Sequence, residues 1–250
     1  MSETVAKRAV RTKPASRKVT ARKPGSREAS APEASAPKKA PGRTSPSSPP
    51  PSLAERQAEK RDAILNAALD EFSASGFASA RLDDVARRAG VAKGTIYLYF
   101  RDKESLFQEL VRSMVSPIVG RIEAAGAADM PPRFVAEAIA ALFANEIFGT
   151  RREALLRLII TEGPRFPRIA EFYFHEVIER VVPAMRGLMS RAVARGELKH
   201  DALARFPQLL VAPALMAVVW SGLFGRFAPL DIRELLRAHI DLLFGERSAT

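Results

Sequence analysis

Apolar residues recur at helical spacing along most of the chain from Leu53 to Phe244, and this pattern constrains the fold more than any other feature. Ile64, Leu65 and Phe72, for example, fall on one face of a helix whose other face is charged. Glycines and prolines interrupt the pattern, and no segment alternates convincingly with the period of a strand. The sequence therefore predicts an all-α fold.

The interruptions divide this region into separate helices. We expect a first helix ending at Gly76 and a fourth that starts at the N-cap Asp102. The others are expected at about Leu82–Ala89, Lys93–Phe100, Pro132–Phe148, Arg151–Thr161, Phe166–Arg195, Leu203–Phe224 and Asp231–Phe244.

The first 52 residues differ in composition from the rest. They hold 12 of the 39 Lys/Arg residues, 3 of the 28 Asp/Glu residues, and no Leu, Ile, Phe, Tyr or Trp. Such a segment buries too little apolar surface to offset its ordering entropy, so a disordered basic tail is predicted. The tail could contact DNA, be only a solvated tail, or precede the true start of the protein. Because it carries nearly all of the net charge of +11, charge does not argue that the folded part binds DNA.

Several classes of protein are disfavoured by what the sequence lacks. It has no cysteine, which excludes disulfides and Cys-ligated zinc and agrees with a reducing cytosol. It has no uninterrupted apolar run of about 18 residues, so no membrane partner is expected. We find no Gly-rich phosphate loop, nucleophile elbow or His-Glu-x-x-His motif, and therefore predict neither an enzyme nor a cofactor.

The segment 82–100 has the features of a helix-turn-helix. Ala86 is the small residue needed where two short helices cross, and Gly90 tolerates a left-handed backbone at the turn. The apolar seam is formed by Val85, Ala89, Val91, Ile96 and Phe100. The same pattern also suits an ordinary helical hairpin.

The third helix leaves its other side chains to face outward. They are short-range donors and aromatics suited to the major groove and its flanking phosphates, namely Lys93, Thr95, Tyr97, Leu98 and Tyr99. Leu98 cannot hydrogen-bond a base but can touch a thymine methyl group. Tyr99 could instead be half-buried against the first helix.

From Arg61 to Leu110 the chain resembles the DNA-binding domain of the TetR family of regulators. The matching residues are Arg61, Ile64-Leu65, Ala67-Ala68, Phe72, Gly76-Phe77, Asp84-Val85-Ala86, Ala89-Gly90-Val91, Lys93-Gly94-Thr95-Ile96-Tyr97, Tyr99-Phe100, Lys103-Glu104 and Leu106-Phe107. The resemblance implies a sequence-specific regulator, released from a palindromic operator by a small apolar ligand and acting by default as a repressor. A nucleoid-associated or architectural DNA-binding protein is the alternative.

The resemblance also implies roles by position. Lys93, Thr95 and Tyr97 would contact phosphates or base edges, the Gly94 backbone would approach the DNA, and Lys103 would bond a phosphate. The family usually has Thr or Ser where this chain has Ala80-Arg81. Ser79 could replace the missing cap, and Arg81 could supply a charge-assisted phosphate contact.

Three regions follow from this interpretation: the tail 1–52, a DNA-binding domain 53–113 and a ligand-binding and dimerisation domain 114–250. Two apolar stripes predict a homodimer through the last two helices, although an intrachain core would also explain them. The stripes are Leu209, Ala212, Met216, Val219 and Leu223 (with Trp220 and Phe224 beside them), and Leu235, Leu236, Ile240, Leu243 and Phe244.

An apolar pocket for the effector is expected among the middle helices, although the same residues could be plain core. Its candidate lining includes Phe143, Ile147, Phe172, Tyr173 and His175. His175 lies four residues from both Glu171 and Glu179, a spacing that allows a metal site but better suits a solvated ion-pair face.

Overall fold

The computed structural model describes residues 52–128 and 130–245, and within these ranges the regular secondary structure is helical throughout, without a strand. The all-α prediction is therefore confirmed. The predicted disordered tail, apart from Ser52, lies outside the described residues. None of the described helices is long and apolar enough to cross a membrane.

The helices follow one another along the chain with short connections. In order they are α1 (Leu53–Ser79), α2 (Leu82–Arg88), α3 (Lys93–Tyr99), α4 (Lys103–Ala127), α5 (Pro132–Leu142), α6 (Arg151–Glu162), α7 (Pro167–Tyr173), α8 (Glu179–Ala194), α9 (Ala202–Arg205), α10 (Ala212–Phe224) and α11 (Ile232–Phe244). A π-helical turn at Phe143–Ile147 follows α5, another at Phe174–Ile178 joins α7 to α8, and a 3-10 turn at Pro207–Leu210 precedes α10.

Helix α1 begins with a capping box and bends near its end. The Ser52 hydroxyl accepts from the Glu55 amide at 3.2 Å, and the Glu55 carboxylate accepts from the Ser52 amide at 2.6 Å. Gly76 has a φ of 72°, so the regular helix stops there, as predicted, before one further turn to Ser79.

Three buried phenylalanines hold α1 and α4 together. The Phe72 ring lies 5.2 Å from Phe77 and 6.3 Å from Phe107, centroid to centroid. All three are almost fully buried. Burying a side chain of this size contributes roughly 2–3 kcal/mol, so this cluster is a main support of the N-terminal helices.

Helix α4 connects the N-terminal helices to the C-terminal ones without a break. Its 25 residues span about 37 Å at about 1.5 Å per residue, and the helix continues through Pro117. It packs on α1, where Phe107 meets Phe72, and on α8, where Glu123 pairs with Arg180. The expected boundary between residues 113 and 114 therefore falls inside a continuous helix.

Three of the expected long helices are interrupted in the structure, and the expected helix Pro132–Phe148 is one of them, because it contains the π-helical turn at Phe143–Ile147. The expected helix Phe166–Arg195 contains the other π-helical turn, and the expected helix Leu203–Phe224 breaks between Phe206 and Val211. Phe206 has a ψ of 72°, outside the helical region, because the residue before Pro207 is disfavoured there. Pro213 lies in the first turn of α10, where a proline is tolerated.

The two stripes predicted for the last helices differ in burial. On α10, Ala214, Ala217 and Val218 face the protein, whereas Met216 and Leu223 are 51% and 61% exposed. On α11 the stripe packs within the chain instead, with Leu236 and Ile240 buried and Leu235, Leu243 and Phe244 half-buried. Leu242, outside the predicted stripe, is 85% exposed.

Candidate nucleic-acid interface

Helices α2 and α3 form a helix-turn-helix supported by α1 and α4. Gly90 lies at the turn with a φ of 69°, and the Val91 amide donates to the Ala86 carbonyl at 3.0 Å. Ala86 is buried at the crossing, as the sequence predicts. In the expected seam Val85, Ile96 and Phe100 are buried, while Ala89 and Val91 are partly buried against the same core.

The outward face of α3 carries most of the side chains predicted to meet DNA. Tyr97 is 50% exposed and Leu98 is 85% exposed. A β-carbon added to Gly94 would meet nothing within 4 Å, so the backbone is open to close approach. Thr95 and Tyr99 are half-buried, and Tyr99 packs against the core.

Asp83, which the sequence analysis did not single out, lies beside this face. The Lys93 ammonium donates to its Oδ2 at 2.7 Å, and the Tyr97 hydroxyl donates to its Oδ1 at 3.4 Å. The hydrogen bond from Lys93 lowers the pKa of Asp83 and, reciprocally, raises the pKa of Lys93. No local spacing pattern signals this contact, because the partners lie on different helices.

Lys103 lies at the start of α4, as expected, but makes contacts that the sequence did not predict. Its Nζ donates to the carbonyl oxygens of Phe77 and Ala78, both at 2.8 Å, and lies 4.8 Å from the centre of the Phe77 ring. The ammonium therefore satisfies carbonyls near the C-terminal end of α1, in addition to any DNA contact.

The start of α2 also differs from expectation. Arg81 is the N-cap residue and no side chain caps this end, so the suggestion that Ser79 caps it is wrong. Instead, the carboxylates of Asp83 and Asp84 in the first turn interact favourably with the positive end of the helix dipole. The Arg81 side chain is exposed and remains a predicted phosphate contact.

The predicted cap of α4 is confirmed. The Asp102 carboxylate accepts from the Ser105 amide at 2.7 Å, and the Ser105 hydroxyl accepts from the Asp102 amide at 3.2 Å. The hydrogen bond from the Ser105 amide lowers the pKa of Asp102. The cap fixes the turn that follows α3.

The five residues expected to line an effector pocket are distributed over different environments. Ile147 is buried and Phe143 is partly buried in the core of the C-terminal half. The Arg112 guanidinium lies over the Phe172 ring at 4.9 Å, and burial raises the pKa of Tyr173 to about 12. His175 lies at the surface, where its Nδ1 is 2.8 Å from a Glu179 carboxylate oxygen, as an ion-pair face would place it.

Cavities in the C-terminal half are lined by other residues. One of about 340 Å³ lies between α4 and α5, and its apolar lining includes Ile122, Val135, Ile139 and Leu142. A groove of about 620 Å³ lies between α5 and α11. Neither lining includes any of the five expected residues.

Two family models match the chain. The model described as bacterial regulatory proteins, tetR family, matches residues 64–110, which contain the helix-turn-helix. The model described as AefR-like transcriptional repressor, C-terminal domain, matches residues 135–242.

Curated relatives are regulators of the helix-turn-helix type. The chain is 32% identical to UidR of Escherichia coli (strain K12) over 148 residues, which cover 56% of this chain and 70% of that protein. It is 26% identical to SrpR of Pseudomonas putida over 145 residues, covering 58% and 66%. It spans only 34% of the length of YdgC of Bacillus subtilis, at 35% identity over 66 residues.

Solved structures share the fold. The SmeT–triclosan complex superposes with a TM-score of 0.62 at 19% identity, covering 74% of this chain and 89% of that one. FadR of Bacillus subtilis in complex with stearoyl-CoA superposes with a TM-score of 0.57 at 20% identity, covering 74% and 99%.

Proposed function

The chain belongs to the tetR family of bacterial regulatory proteins, and from this premise we propose that it is a transcriptional repressor that binds a DNA palindrome as a homodimer and is released by a small ligand. The observation that carries the proposal is the outward face of α3, where Tyr97 and Leu98 are exposed while Ile96 is buried. These two side chains lie beside the exposed Lys93 and the open backbone of Gly94, a combination suited to the base edges and phosphates of a major groove.

In the proposed complex α3 lies in the major groove. Lys93, Thr95 and Tyr97 contact phosphates or base edges, Leu98 touches a thymine methyl group, and the Gly94 backbone approaches the DNA. Phosphate contacts come from the exposed Arg81 at the start of α2 and from the third donor of Lys103, with Tyr99 at the edge of the interface.

The proposed dimer forms through α10 and α11. Met216 and Leu223 on α10, and Leu209 in the turn before it, are left exposed by the described part of the chain. Leu242 on α11 is also exposed, and in the proposed dimer a second copy of the chain covers the exposed apolar side chains of both helices. Two copies would place two recognition helices on half-sites about one DNA turn apart.

The proposed effector is small and largely apolar. We place it in the cavity between α4 and α5 because α4 also packs on the helices that support α3. A ligand that moves α4 would change the separation of the two recognition helices. The structures of FadR with stearoyl-CoA, which carries a long apolar acyl chain, and of SmeT with triclosan support a ligand of this kind.

An architectural DNA-binding role is not favoured, because the matched relatives are named as transcriptional regulators. The same names favour a regulator over an enzyme, and we propose no catalytic activity.

Selection of bound duplexes from a random DNA pool by the full chain tests the proposal. We expect enrichment of an inverted repeat, and release of the selected duplex by a compound from an apolar ligand library. Uniform recovery of all sequences would support the architectural alternative, and no recovery above a blank would reject DNA binding altogether.

A further inference from the structure

A carboxylate lies on the face of the helix-turn-helix that carries its exposed cation and aromatic residues. Asp83, in the first turn of α2, accepts hydrogen bonds from both Lys93 and Tyr97 of α3. These are two of the side chains with which this surface would contact DNA. Resting on the proposed function, we infer that Asp83 is a specificity-determining residue, which restrains both side chains and opposes their binding to DNA of unrelated sequence.

The contacts of Asp83 join two helices, whereas that of the neighbouring Asp84 stays within one. The Asp84 carboxylate pairs with Arg87, one turn along the same helix, at 2.7 Å. The Asp83 carboxylate instead joins α2 to α3, through the 2.7 Å ion pair with Lys93. The two aspartates are otherwise alike, since their side chains are 29% and 31% exposed and both lie in the first turn of α2.

Electrostatics gives the reason for an effect on non-specific binding. Binding to unrelated DNA depends on how many phosphates the protein's cations neutralise. A carboxylate 2.7 Å from Lys93 cancels much of that charge and also repels an approaching phosphate. Non-specific affinity is thereby lowered.

The same contact has a different consequence at the correct sequence. There, base-edge contacts by a positioned α3 add to the phosphate contacts. Asp83 holds Lys93 and Tyr97 in one arrangement before binding, which reduces the side-chain entropy lost in the complex. The carboxylate therefore widens the ratio of specific to non-specific affinity.

The test compares Asp83→Asn with Asp84→Asn in the full chain. Each removes one negative charge from the first turn of α2 and keeps the side-chain shape. Binding is measured by fluorescence anisotropy on the selected inverted repeat and on a shuffled duplex of the same composition, over a range of salt concentrations. Circular dichroism and thermal unfolding check that both variants keep the fold.

For Asp83→Asn we expect affinity for the shuffled duplex to rise about threefold to tenfold per chain, with a steeper salt dependence because Lys93 is freed to neutralise a phosphate. Affinity for the selected duplex should change less, so the specificity ratio falls. Asp84→Asn should alter the ratio less than about twofold, because Asp84 pairs with Arg87 on its own helix and with no side chain that the proposal places against DNA.

Three results would overturn the inference: an unchanged ratio in Asp83→Asn, an equal change in both variants, or a changed preference for one base pair alone, which would make Asp83 a direct reader of bases. These outcomes require that the wild-type chain binds DNA. If the wild type binds neither duplex, the proposed function itself fails, so the two failures are distinguishable.

Discussion

The ammonium of Lys103 donates to two carbonyl oxygens near the end of α1, and the hydroxyl of Tyr97 donates to the half-buried carboxylate of Asp83. Both residues were predicted to contact DNA from their positions in the family pattern. Their contributions to stability should differ. Lys103 connects α4 to α1, whereas Tyr97 is half exposed on α3. Substitutions at the two positions should therefore have separable effects.

Replacing Tyr97 with alanine should weaken binding to the selected duplex about tenfold per chain, because it removes an exposed contact from the middle of α3. The unfolding free energy should stay within about 0.5 kcal/mol of the wild type. Tyr97→Phe is the matched control, and it separates the ring from the hydroxyl. An affinity for DNA that is unchanged in Tyr97→Ala would contradict the placement of this face against the groove.

Replacing Lys103 with alanine should lower the unfolding free energy by about 1–3 kcal/mol, since two carbonyls lose a charged donor and the Phe77 ring loses a cation. Urea denaturation measures this change. Lys93→Ala is the control, because that lysine is largely exposed in a surface ion pair and its loss should cost less than about 1 kcal/mol. Equal stability of the two variants would show that the contacts of Lys103 contribute nothing to the fold.

At the scale of the helices, the outward face of α10 should form the dimer. Replacing Leu223 with glutamate should convert the free protein to a monomer, because it places charges inside an apolar interface without a partner. Sedimentation velocity measures the change. Leu53→Glu, at a residue that is 74% exposed at the start of α1, should leave the dimer intact. A dimer that survives Leu223→Glu would place the interface elsewhere.

Local signals allowed part of the fold to be predicted. The bounds of α2 and α3 agree with expectation to within one residue, because Gly90 and the apolar seam mark them in the sequence. The expected helix 203–224 was wrong at Phe206, where Pro207 excludes a helical backbone although the apolar period continues. Periodicity does not register such a break, because the apolar spacing continues through Pro207.

The contacts that could not be predicted from the sequence are contacts between different helices. Asp83 meets a lysine ten residues away, and Lys103 meets carbonyls 25 and 26 residues away. Neither spacing belongs to a helix or a turn, so only the packing of α1, α2, α3 and α4 creates these contacts. The expected pocket was, apart from His175, a set of aromatic and aliphatic residues, and such residues look alike in sequence whether they line a cavity or fill a core.

At the scale of the whole molecule, the basic residues of segment 1–50 adjoin the DNA-binding helices in the sequence. Deleting this segment should flatten the salt dependence of DNA affinity, because fewer phosphates are neutralised. Affinity for the shuffled duplex should fall more than affinity for the selected one. Titrations at several salt concentrations measure both slopes, and identical slopes with and without the segment would show that it makes no contact with DNA.

The central claim is that two chains together read a palindrome through α3. Its most direct test is a titration of the full chain on the selected inverted repeat and on a duplex with one half-site scrambled, with the stoichiometry read by mass photometry. We expect two chains per intact duplex and a preference of about a thousandfold or more over shuffled DNA, with much of that preference lost when one half is scrambled. Equal affinity for the intact, half-scrambled and shuffled duplexes would contradict the account.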